Sequence, residues 1–306
     1  MISKEFTGLI NALGQHIIGK PQQLKLAVAC MLARGHLLIE DLPGMGKTTL
    51  SHGLANLFGL DFSRIQFTSD LLPADMLGAN IYNSHSRDFE FRHGPVFNQL
   101  VLADEINRAS PKTQSALLEA MEEHQVSIDG TTYPLPEPFF VVGTQNPGYQ
   151  SGTYPLPESQ LDRFLMCISL GYPDWEAEKA MLRQRSERHQ QPLNSLLNIE
   201  TLLAWQQDVV NVNAADPVLD YILRLVTTSR TTPGFPNALS PRASKAILQA
   251  AKAWAYMHER DYVVPEDVQA VFVAVAEHRL RSANQESAAE AVLSQRLLES
   301  VDPLAA

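Results

Sequence analysis

The sequence predicts an α/β domain, built on a mainly parallel sheet with helical flanks, followed by an all-α domain. Five short apolar runs of strand length lie before about Leu170, and helix signals lie between several of them. After Pro173 the chain has helical stretches and no convincing strand. Because strands that alternate with helices usually pair in parallel, the first part is expected to be the α/β domain.

The predicted strands are apolar segments that precede polar or glycine-containing loops. A helix is predicted to begin at Ser110-Pro111, since serine suits the N-cap and proline suits the first helical position. The five strands are predicted at residues 36–39, 65–67, 100–103, 139–142 and 166–170.

The second part is predicted to be helical throughout. Asp174 is expected to cap a charged helix that runs towards His189. The change near Pro173 predicts two domains, residues 1–172 and residues 173–306. Further helices are predicted at residues 199–210, 217–229, 241–258 and 265–279.

Composition limits the classes of function that the chain can have. The 306 residues are 45% hydrophobic and 19% charged, which is ordinary for a globular protein. With 34 acidic and 24 basic side chains the net charge is −10, which argues against non-specific binding to nucleic acid or anionic membranes. Cys30 and Cys167 are expected to be core thiols in a reducing compartment. No signal peptide or membrane-spanning run is visible, so a cytoplasmic location is expected.

The segment after the first predicted strand has the pattern of a phosphate-binding loop. Backbone N–H groups around Gly44 and Gly46 can surround phosphate oxygens, helped by the N-terminus of the following helix. Lys47 would reach the β- and γ-phosphates, and the Thr48 hydroxyl would bind Mg²⁺. Asp41 occupies the place of the usual first glycine, so its side chain is expected to face away from the phosphates. On this segment alone, a turn that contains Gly-Lys-Thr by chance stays an alternative.

Two adjacent carboxylates follow the predicted strand at residues 100–103. Asp104 is placed to lie beside a Mg²⁺ ion and Glu105 near an attacking water, as metal-assisted hydrolysis of a phosphoanhydride requires. Taken alone, a solvated strand end explains the pair better. Together with the phosphate-binding loop, the pair favours a nucleotide-hydrolysing site.

A third polar group follows the strand predicted at residues 139–142. Asn146 is the candidate for a residue that senses the γ-phosphate and orients water. A turn formed by Asn146-Pro147 is the alternative.

The residues from Gln66 to Pro173 closely resemble the MoxR family of AAA+ ATPases, and the resemblance continues more weakly over the rest of the chain. Many blocks match in order, which makes the resemblance specific. The blocks are Gln66-Phe67-Thr68, Asp70-Leu71-Leu72-Pro73, Phe89-Glu90-Phe91-Arg92, Gly94-Pro95, Leu102-Ala103-Asp104-Glu105-Ile106-Asn107-Arg108-Ala109, Gln114-Ser115-Ala116-Leu117-Leu118-Glu119-Ala120-Met121, Thr144-Gln145-Asn146-Pro147, Gly152-Thr153-Tyr154-Pro155-Leu156-Pro157-Glu158 and Leu161-Asp162-Arg163-Phe164-Leu165.

This resemblance implies a fold and a set of roles. The fold would be an AAA+ P-loop NTPase core with an all-α lid. Asp104 and Glu105 match the Walker B pair, Asn146 matches sensor 1, and Asp104 joins Thr48 as a metal ligand. The segment that contacts adenine resembles Ile18-Gly19. The residues that match Walker A are Pro43, Gly44, Met45, Gly46, Lys47, Thr48 and Thr49.

The resemblance also implies two arginines that act on the γ-phosphate. Arg163 matches the arginine finger, which enters the site of a neighbouring subunit. Arg242 matches sensor 2 on the lid and is expected to serve the nucleotide of its own chain. The Ser240-Pro241 pair predicts a helix start, which puts Arg242 in a first turn where the helix dipole does not favour a cation.

Cofactors and partners are implied in the same way. The resemblance implies ATP and Mg²⁺, a homo-oligomeric and usually hexameric ring, a partner with a von Willebrand factor A domain, and a protein client. Inserts expected at residues 70–93 and at a hairpin of residues 126–133, which turns at Asp129-Gly130, would contact that client.

Three other functions stay open on the sequence. A nucleic-acid translocase is disfavoured because the hairpin at residues 126–133 carries no lysine or arginine. A non-catalytic nucleotide-switched scaffold is disfavoured by the presence of Glu105 and Arg163, and an ATPase subunit of a metal chelatase would need a dedicated catalytic partner. Glu122-Glu123-His124 is interpreted as a solvated helix end.

Overall fold

The computed structural model describes residues 3–146, 153–183, 197–281 and 292–303. At its centre lies a five-stranded sheet with the strand order β2-β5-β8-β1-β9, in which every neighbouring pair is parallel. The predicted parallel α/β sheet is therefore confirmed. Its strands are β1 (Leu37–Glu40), β2 (Phe62–Gln66), β5 (Leu100–Asp104), β8 (Phe140–Gln145) and β9 (Met166–Ile168).

The sheet is buried on both faces, which explains why its strands are continuous apolar runs. Successive side chains point to opposite faces, so Leu37 and Ile39 enter one apolar cluster while Leu38 enters the other. The first cluster continues into the C-terminal helices, whereas the second lies under the hairpins and the helix that follows β5.

The helices of the first part flank this sheet. The predicted start at Ser110 is confirmed, because its hydroxyl accepts a hydrogen bond from the Thr113 N–H at 3.4 Å. The α-helices described in this part are α1 (Lys4–Gly14), α2 (Pro21–Leu32), α3 (Lys47–Phe58), α4 (Pro73–Leu77), α5 (Pro111–Glu123) and α6 (Glu158–Leu161).

Two hairpins project from the α/β part and contact each other. The first pairs β3 (Gly78–Asn83) with β4 (Asp88–His93), and the second pairs β6 (Gln125–Ile128) with β7 (Thr131–Pro134). Asn80 donates a hydrogen bond to Asp129 at 2.7 Å, and the rings of Phe91 and Tyr133 stack at 4.0 Å. The two hairpins therefore form one projecting unit.

The rest of the described chain is helical. In residues 197–281 and 292–303 the only strand-like pairing is an isolated bridge between Asn213 and Tyr262. The division of the chain near Pro173 stays a prediction. The helices are α7 (Trp175–Arg183), α8 (Ile199–Asn211), α9 (Asp216–Thr231), α10 (Pro241–Met257), α11 (Pro265–Leu280) and α12 (Val292–Glu299), of which α8 to α12 are here called the helical lid.

Asp174 and the two cysteines agree with their expected structural roles. The Asp174 carboxylate accepts a hydrogen bond from the Ala177 N–H at 2.7 Å and caps α7, whose predicted continuation to His189 lies outside the described residues. Cys30 and Cys167 are free and buried, and burial raises the pKa of both thiols. None of the helices in the described ranges combines the length and the apolar composition that a bilayer crossing requires.

Candidate nucleotide-binding site

The phosphate-binding loop lies between the buried strand β1 and the start of α3. Gly44 and Gly46 have φ angles of +85° and +90°, which side-chain-bearing residues rarely adopt. A Cβ at either position would meet nothing within 4 Å, so both glycines border open space. The loop thus leaves room for a ligand above the N-terminus of α3, where backbone N–H groups favour anions.

Lys47 is buried at the base of this loop. Its Nζ donates hydrogen bonds to the Asp41 carbonyl oxygen at 2.6 Å and to Asn146 Oδ1 at 3.2 Å. Burial lowers the pKa of Lys47, while the nearby carboxylates of Asp41, Asp104 and Glu105 favour its charged form. The ammonium group donates to neutral oxygens, so an anionic phosphate would be a stronger partner.

The Asp41 side chain faces away from the loop, as its position in the sequence required. Its carboxylate accepts hydrogen bonds from the Ser169 hydroxyl at 3.1 Å, from the Gly171 N–H at 3.2 Å and from the Leu170 N–H. Asp41 therefore holds the backbone that follows β9 in place. Because its carboxylate points away from the phosphate-binding loop, its negative charge would not repel a bound phosphate.

Glu105 and Asn146 meet at the carboxyl ends of β5 and β8. Asn146 Nδ2 donates to Glu105 Oε1 at 3.0 Å while Asn146 Oδ1 accepts from Lys47, so one buried amide joins the lysine to the glutamate. Glu105 has a left-handed φ of +57°, and its N–H donates to Thr144 Oγ1 at 2.9 Å. Lys47, Glu105 and Asn146, three residues predicted for the site from the sequence, therefore lie together at this end of the sheet.

Glu105 has further partners on its other oxygen. Oε2 accepts hydrogen bonds from Gln66 at 3.0 Å and from Arg108 at 2.9 Å. Gln66 lies in β2 and Asn146 directly follows β8, on the other side of β5, so polar side chains hold the Glu105 carboxylate from both sides.

Two residues outside the predicted site hold the Asp104 carboxylate. Thr144 donates to Asp104 Oδ1 at 2.7 Å, and Arg64 donates to Oδ2 at 2.6 Å. Thr144 lies in a block that resembles the family, and this block is the only signal that could have suggested it. Arg64 is one charged residue in β2 with no motif around it, so the sequence offered no signal for it.

The segment that resembles an adenine contact lies against the start of α7. Gly19 has a φ of +77°, and a Cβ there would lie 2.8 Å from the Ala177 Cβ. Lys20 Nζ donates to the Tyr172 carbonyl oxygen at 2.6 Å. Ile18 is half-buried beside them. Because Asp41 binds the neighbouring Gly171, this segment and the phosphate-binding loop border the same part of the chain.

The two candidate arginines meet at a different place. Arg163 Nε lies 3.0 Å from Glu122 Oε2, and Arg242 binds Oε1 of the same carboxylate. Residues 122–124 form an exposed helix end, as interpreted from the sequence, but the Glu122 carboxylate also joins two arginines from distant parts of the chain. A cavity of about 290 Å³ beside them is also lined by Arg34 and Lys245.

These two groups lie at opposite ends of β1. His36, just before β1, is within 3.2 Å of the Met121 carbonyl at the end of α5, whereas Asp41, just after β1, lies in the phosphate-binding loop. A strand of this length spans about 13 Å. We call the group of Lys47, Asp104, Glu105 and Asn146 the phosphate edge. We call the group of Glu122, Arg163 and Arg242 the arginine edge.

The structure does not bring Arg242 to Lys47. Its helix α10 begins beside the C-terminal end of α5, and Glu122 holds its guanidinium there. The expectation that Arg242 serves the nucleotide of its own chain is corrected, because the arginine lies with Arg163 at the other edge of the sheet.

The residues of the phosphate edge fit a nucleotide and a magnesium ion. The open loop at Gly44 and Gly46 and the buried Lys47 suit phosphate oxygens. Hydroxyl and carboxylate oxygens are ligands that Mg²⁺ prefers, which suits Thr48 and Asp104. Both Asp104 oxygens already accept hydrogen bonds, but a carboxylate offers about four lone-pair sites, so capacity for a metal-bound water remains.

Comparisons with known proteins agree with this site. Residues 36–166 match the profile of the ATPase family associated with various cellular activities (AAA), and residues 228–300 match the AAA lid domain. The chain is 46% identical to the uncharacterized protein YeaC of Bacillus subtilis, over 89% of this chain and 85% of that protein.

A second relative and a solved structure are similarly close. The chaperone MoxR1 of Mycobacterium tuberculosis is 41% identical over 86% of this chain and 72% of that protein. A crystal structure of a candidate ATPase from Cytophaga hutchinsonii superposes with a TM-score of 0.85 at 36% identity, covering 97% of this chain and 94% of that chain.

Proposed function

The chain belongs to the MoxR family of AAA+ ATPases, and from this premise we propose that it hydrolyses ATP with Mg²⁺ at sites shared between neighbouring copies in a ring. The observation that carries the proposal is the contact of Asn146 with both Lys47 and Glu105. That contact places the group that would bind the γ-phosphate beside the group that would accept a proton from water.

In this proposal each residue of the phosphate edge has one task. Lys47 and the loop N–H groups bind the phosphates, with Thr48 and Asp104 holding the metal ion. Asn146 orients the attacking water and Glu105 accepts its proton. Magnesium, when bound, neutralises charge on the phosphate oxygens.

The position of the arginine edge supports a shared site. Arg163 and Arg242 lie at the other end of β1 from Lys47, so neither is placed to act on the phosphates of its own chain. We propose that both arginines approach the nucleotide of a neighbouring copy. There the more highly charged phosphates would replace Glu122 as their ion-pair partner. A head-to-tail contact of this kind closes into a ring, and the family implies six copies.

The output of hydrolysis would be chaperone-like remodelling or activation of a protein complex. The projecting hairpins support a protein client, because Tyr82 and Phe89 are 55% and 66% exposed and form an aromatic pair at 5.5 Å. Exposed apolar patches mark interaction sites more often than chance. We also propose a partner with a von Willebrand factor A domain, as the family resemblance implies, and a cytoplasmic location.

The shared site is tested by mixing two inactive variants. Glu105→Gln should disable the site of its own chain, and Arg163→Ala should disable the site of its neighbour. Steady-state hydrolysis should be lost in each variant alone. In an equimolar mixture, about a quarter of the interfaces pair an intact site with an intact arginine, so activity should return to roughly that fraction.

Two results would contradict the proposal in different ways. No recovery in a mixture that assembles into mixed rings, seen by native mass spectrometry, would exclude a shared site. Wild-type protein that binds ATP but never hydrolyses it, alone or with a partner, would favour the nucleotide-switched scaffold.

A further inference from the structure

A buried ion pair lies directly behind the arginine edge and joins the helical lid to the loop that carries Arg163. Arg279, near the end of α11, is 5% exposed and its Nε donates to Asp162 Oδ1 at 2.6 Å. The other oxygen of Asp162 accepts from the Ser240 hydroxyl at 3.1 Å. Asp162 thus contacts both lid helices that border the arginine edge.

Arg279 also holds the backbone on either side of Arg163. Its guanidinium donates to the carbonyl oxygens of Asp162 at 3.1 Å, Phe164 at 2.8 Å and Leu165 at 3.2 Å. It therefore binds three carbonyl groups within four consecutive residues.

Ser240 links the helix that carries Arg242 to the same Asp162 carboxylate. Its hydroxyl accepts from the Ala243 N–H at 3.1 Å and so caps α10, in whose first turn Arg242 lies. Because the same hydroxyl donates to Asp162, the start of α10 and the Arg163 loop share one carboxylate.

This arrangement is better suited to positioning than to stability. A buried ion pair contributes little net stability, since its desolvation offsets the attraction. A planar guanidinium with five donors, however, can hold several acceptors in one geometry. Arg279 uses that capacity on the backbone that aims Arg163.

We propose that Arg279 and Asp162 are positioning residues that hold Arg163 and Arg242 as one unit, oriented by the helical lid towards the neighbouring copy's nucleotide. The inference rests on the shared site proposed above. It assigns the two residues to the site of the neighbour and leaves the site of their own chain intact.

Mixing experiments separate this role from a structural one. Arg279→Gln alone should lower kcat about 10- to 100-fold, because small displacements of a catalytic group have effects of that size. Its KM for ATP should change less than about threefold, since the phosphate edge is untouched. Arg279→Lys keeps the charge beside Asp162, so it should retain more activity and should fold even if the glutamine variant does not.

The second variant in the mixture shows whether Arg279→Gln impairs the site of its own chain or that of the neighbouring copy. Arg279→Gln mixed with Glu105→Gln should recover as much activity as Arg163→Ala mixed with Glu105→Gln, because the intact arginines of one chain serve the intact site of the other. Arg279→Gln mixed with Arg163→Ala should recover none, because both chains lack a correctly placed arginine.

Arg260→Gln is the matched control. Arg260 forms an ion pair with the buried Asp267 at the opposite end of α11, so its loss should leave kcat unchanged. Recovery of Arg279→Gln with Arg163→Ala, or no recovery with Glu105→Gln in mixed rings of folded protein, overturns the positioning role. If Arg163→Ala and Glu105→Gln themselves fail to complement, the shared site is wrong and the inference falls with it.

Discussion

The phosphate edge and the arginine edge lie at opposite ends of β1 and are built in different ways. At the phosphate edge, Glu105 and Asn146 directly follow β5 and β8, and Lys47 follows β1 through the phosphate-binding loop, so neighbouring strands of one sheet and one short loop set their positions. At the arginine edge, Glu122 and Arg163 come from the α/β part, and Arg242 comes from the lid.

This difference has a mechanical consequence. Parallel strands in a buried sheet move little relative to each other, because interiors are close-packed. Helices that pack on such a sheet can move as rigid bodies. We therefore expect changes in lid orientation to alter the arginine edge while the phosphate edge stays formed.

The largest effects should separate binding from turnover. Lys47→Ala should weaken ATP binding by a factor of about 100 or more, because it removes the buried cation that would face the phosphates. Arg163→Ala should bind ATP like the wild type but lower kcat by a factor of about 1,000. Calorimetric titration with ATP and steady-state hydrolysis measure the two. Weaker ATP binding by unassembled Arg163→Ala would mean that Arg163 also contributes to the nucleotide site of its own chain.

Acid should destabilise the fold through His36, which lies beside the arginine edge. The Val141 N–H donates to His36 Nδ1 at 3.0 Å, and burial lowers the pKa of His36 from 6.5 to about 4. The unfolded chain takes up the proton first, so this stability is fully present above pH 6.5 and is lost as the pH falls towards 4. The linked loss is about 3 kcal/mol at most.

Urea unfolding at several pH values tests this effect. His36→Gln should show a smaller fall in unfolding free energy between pH 7 and pH 5 than the wild type. His85→Gln is the control, because His85 lies in the exposed turn between β3 and β4 and should leave the fall unchanged. Equal falls in the wild type and His36→Gln would rule the histidine out as the cause.

At the phosphate edge, Asp41→Gly should destabilise the fold although it restores the usual first glycine. The substitution leaves the N–H groups of Leu170 and Gly171 without their carboxylate, at a cost of about 2 kcal/mol. Asp41→Asn keeps an acceptor oxygen and should cost less. Urea denaturation measures the free energy of unfolding of each variant. If Asp41→Gly is as stable as the wild type, Asp41 does not have the structural role described.

The smallest effect is expected at Gly19→Ala. The new Cβ would lie 2.8 Å from the Ala177 Cβ at a φ of +77°, which should cost about 1–2 kcal/mol. Gly8→Ala is the control, because a Cβ there meets nothing within 4 Å in the exposed face of α1 and should stabilise by about 0.5–1 kcal/mol. Thermal unfolding of both variants should give shifts of opposite sign.

Much of the fold and the phosphate edge could be predicted from the sequence alone. Apolar runs such as Leu100–Asp104 are dictated by burial on both faces of a sheet, and that requirement is local in the chain. The carboxyl ends of parallel strands meet at one edge, so polar residues after three strands were expected to converge. The left-handed φ angles of Gly44 and Gly46 likewise follow from residue type.

What the sequence could not determine depends on contacts between distant segments. Nothing near Arg64 indicated that it binds Asp104, and nothing near Glu122 indicated that it binds Arg163 and Arg242, 120 residues away in the case of Arg242. A charged side chain is usually solvated unless a partner is brought to it. Residue type and spacing determined the phosphate edge, whereas the packing of the lid against the sheet decided the arginine edge, because only tertiary structure brings those charges together.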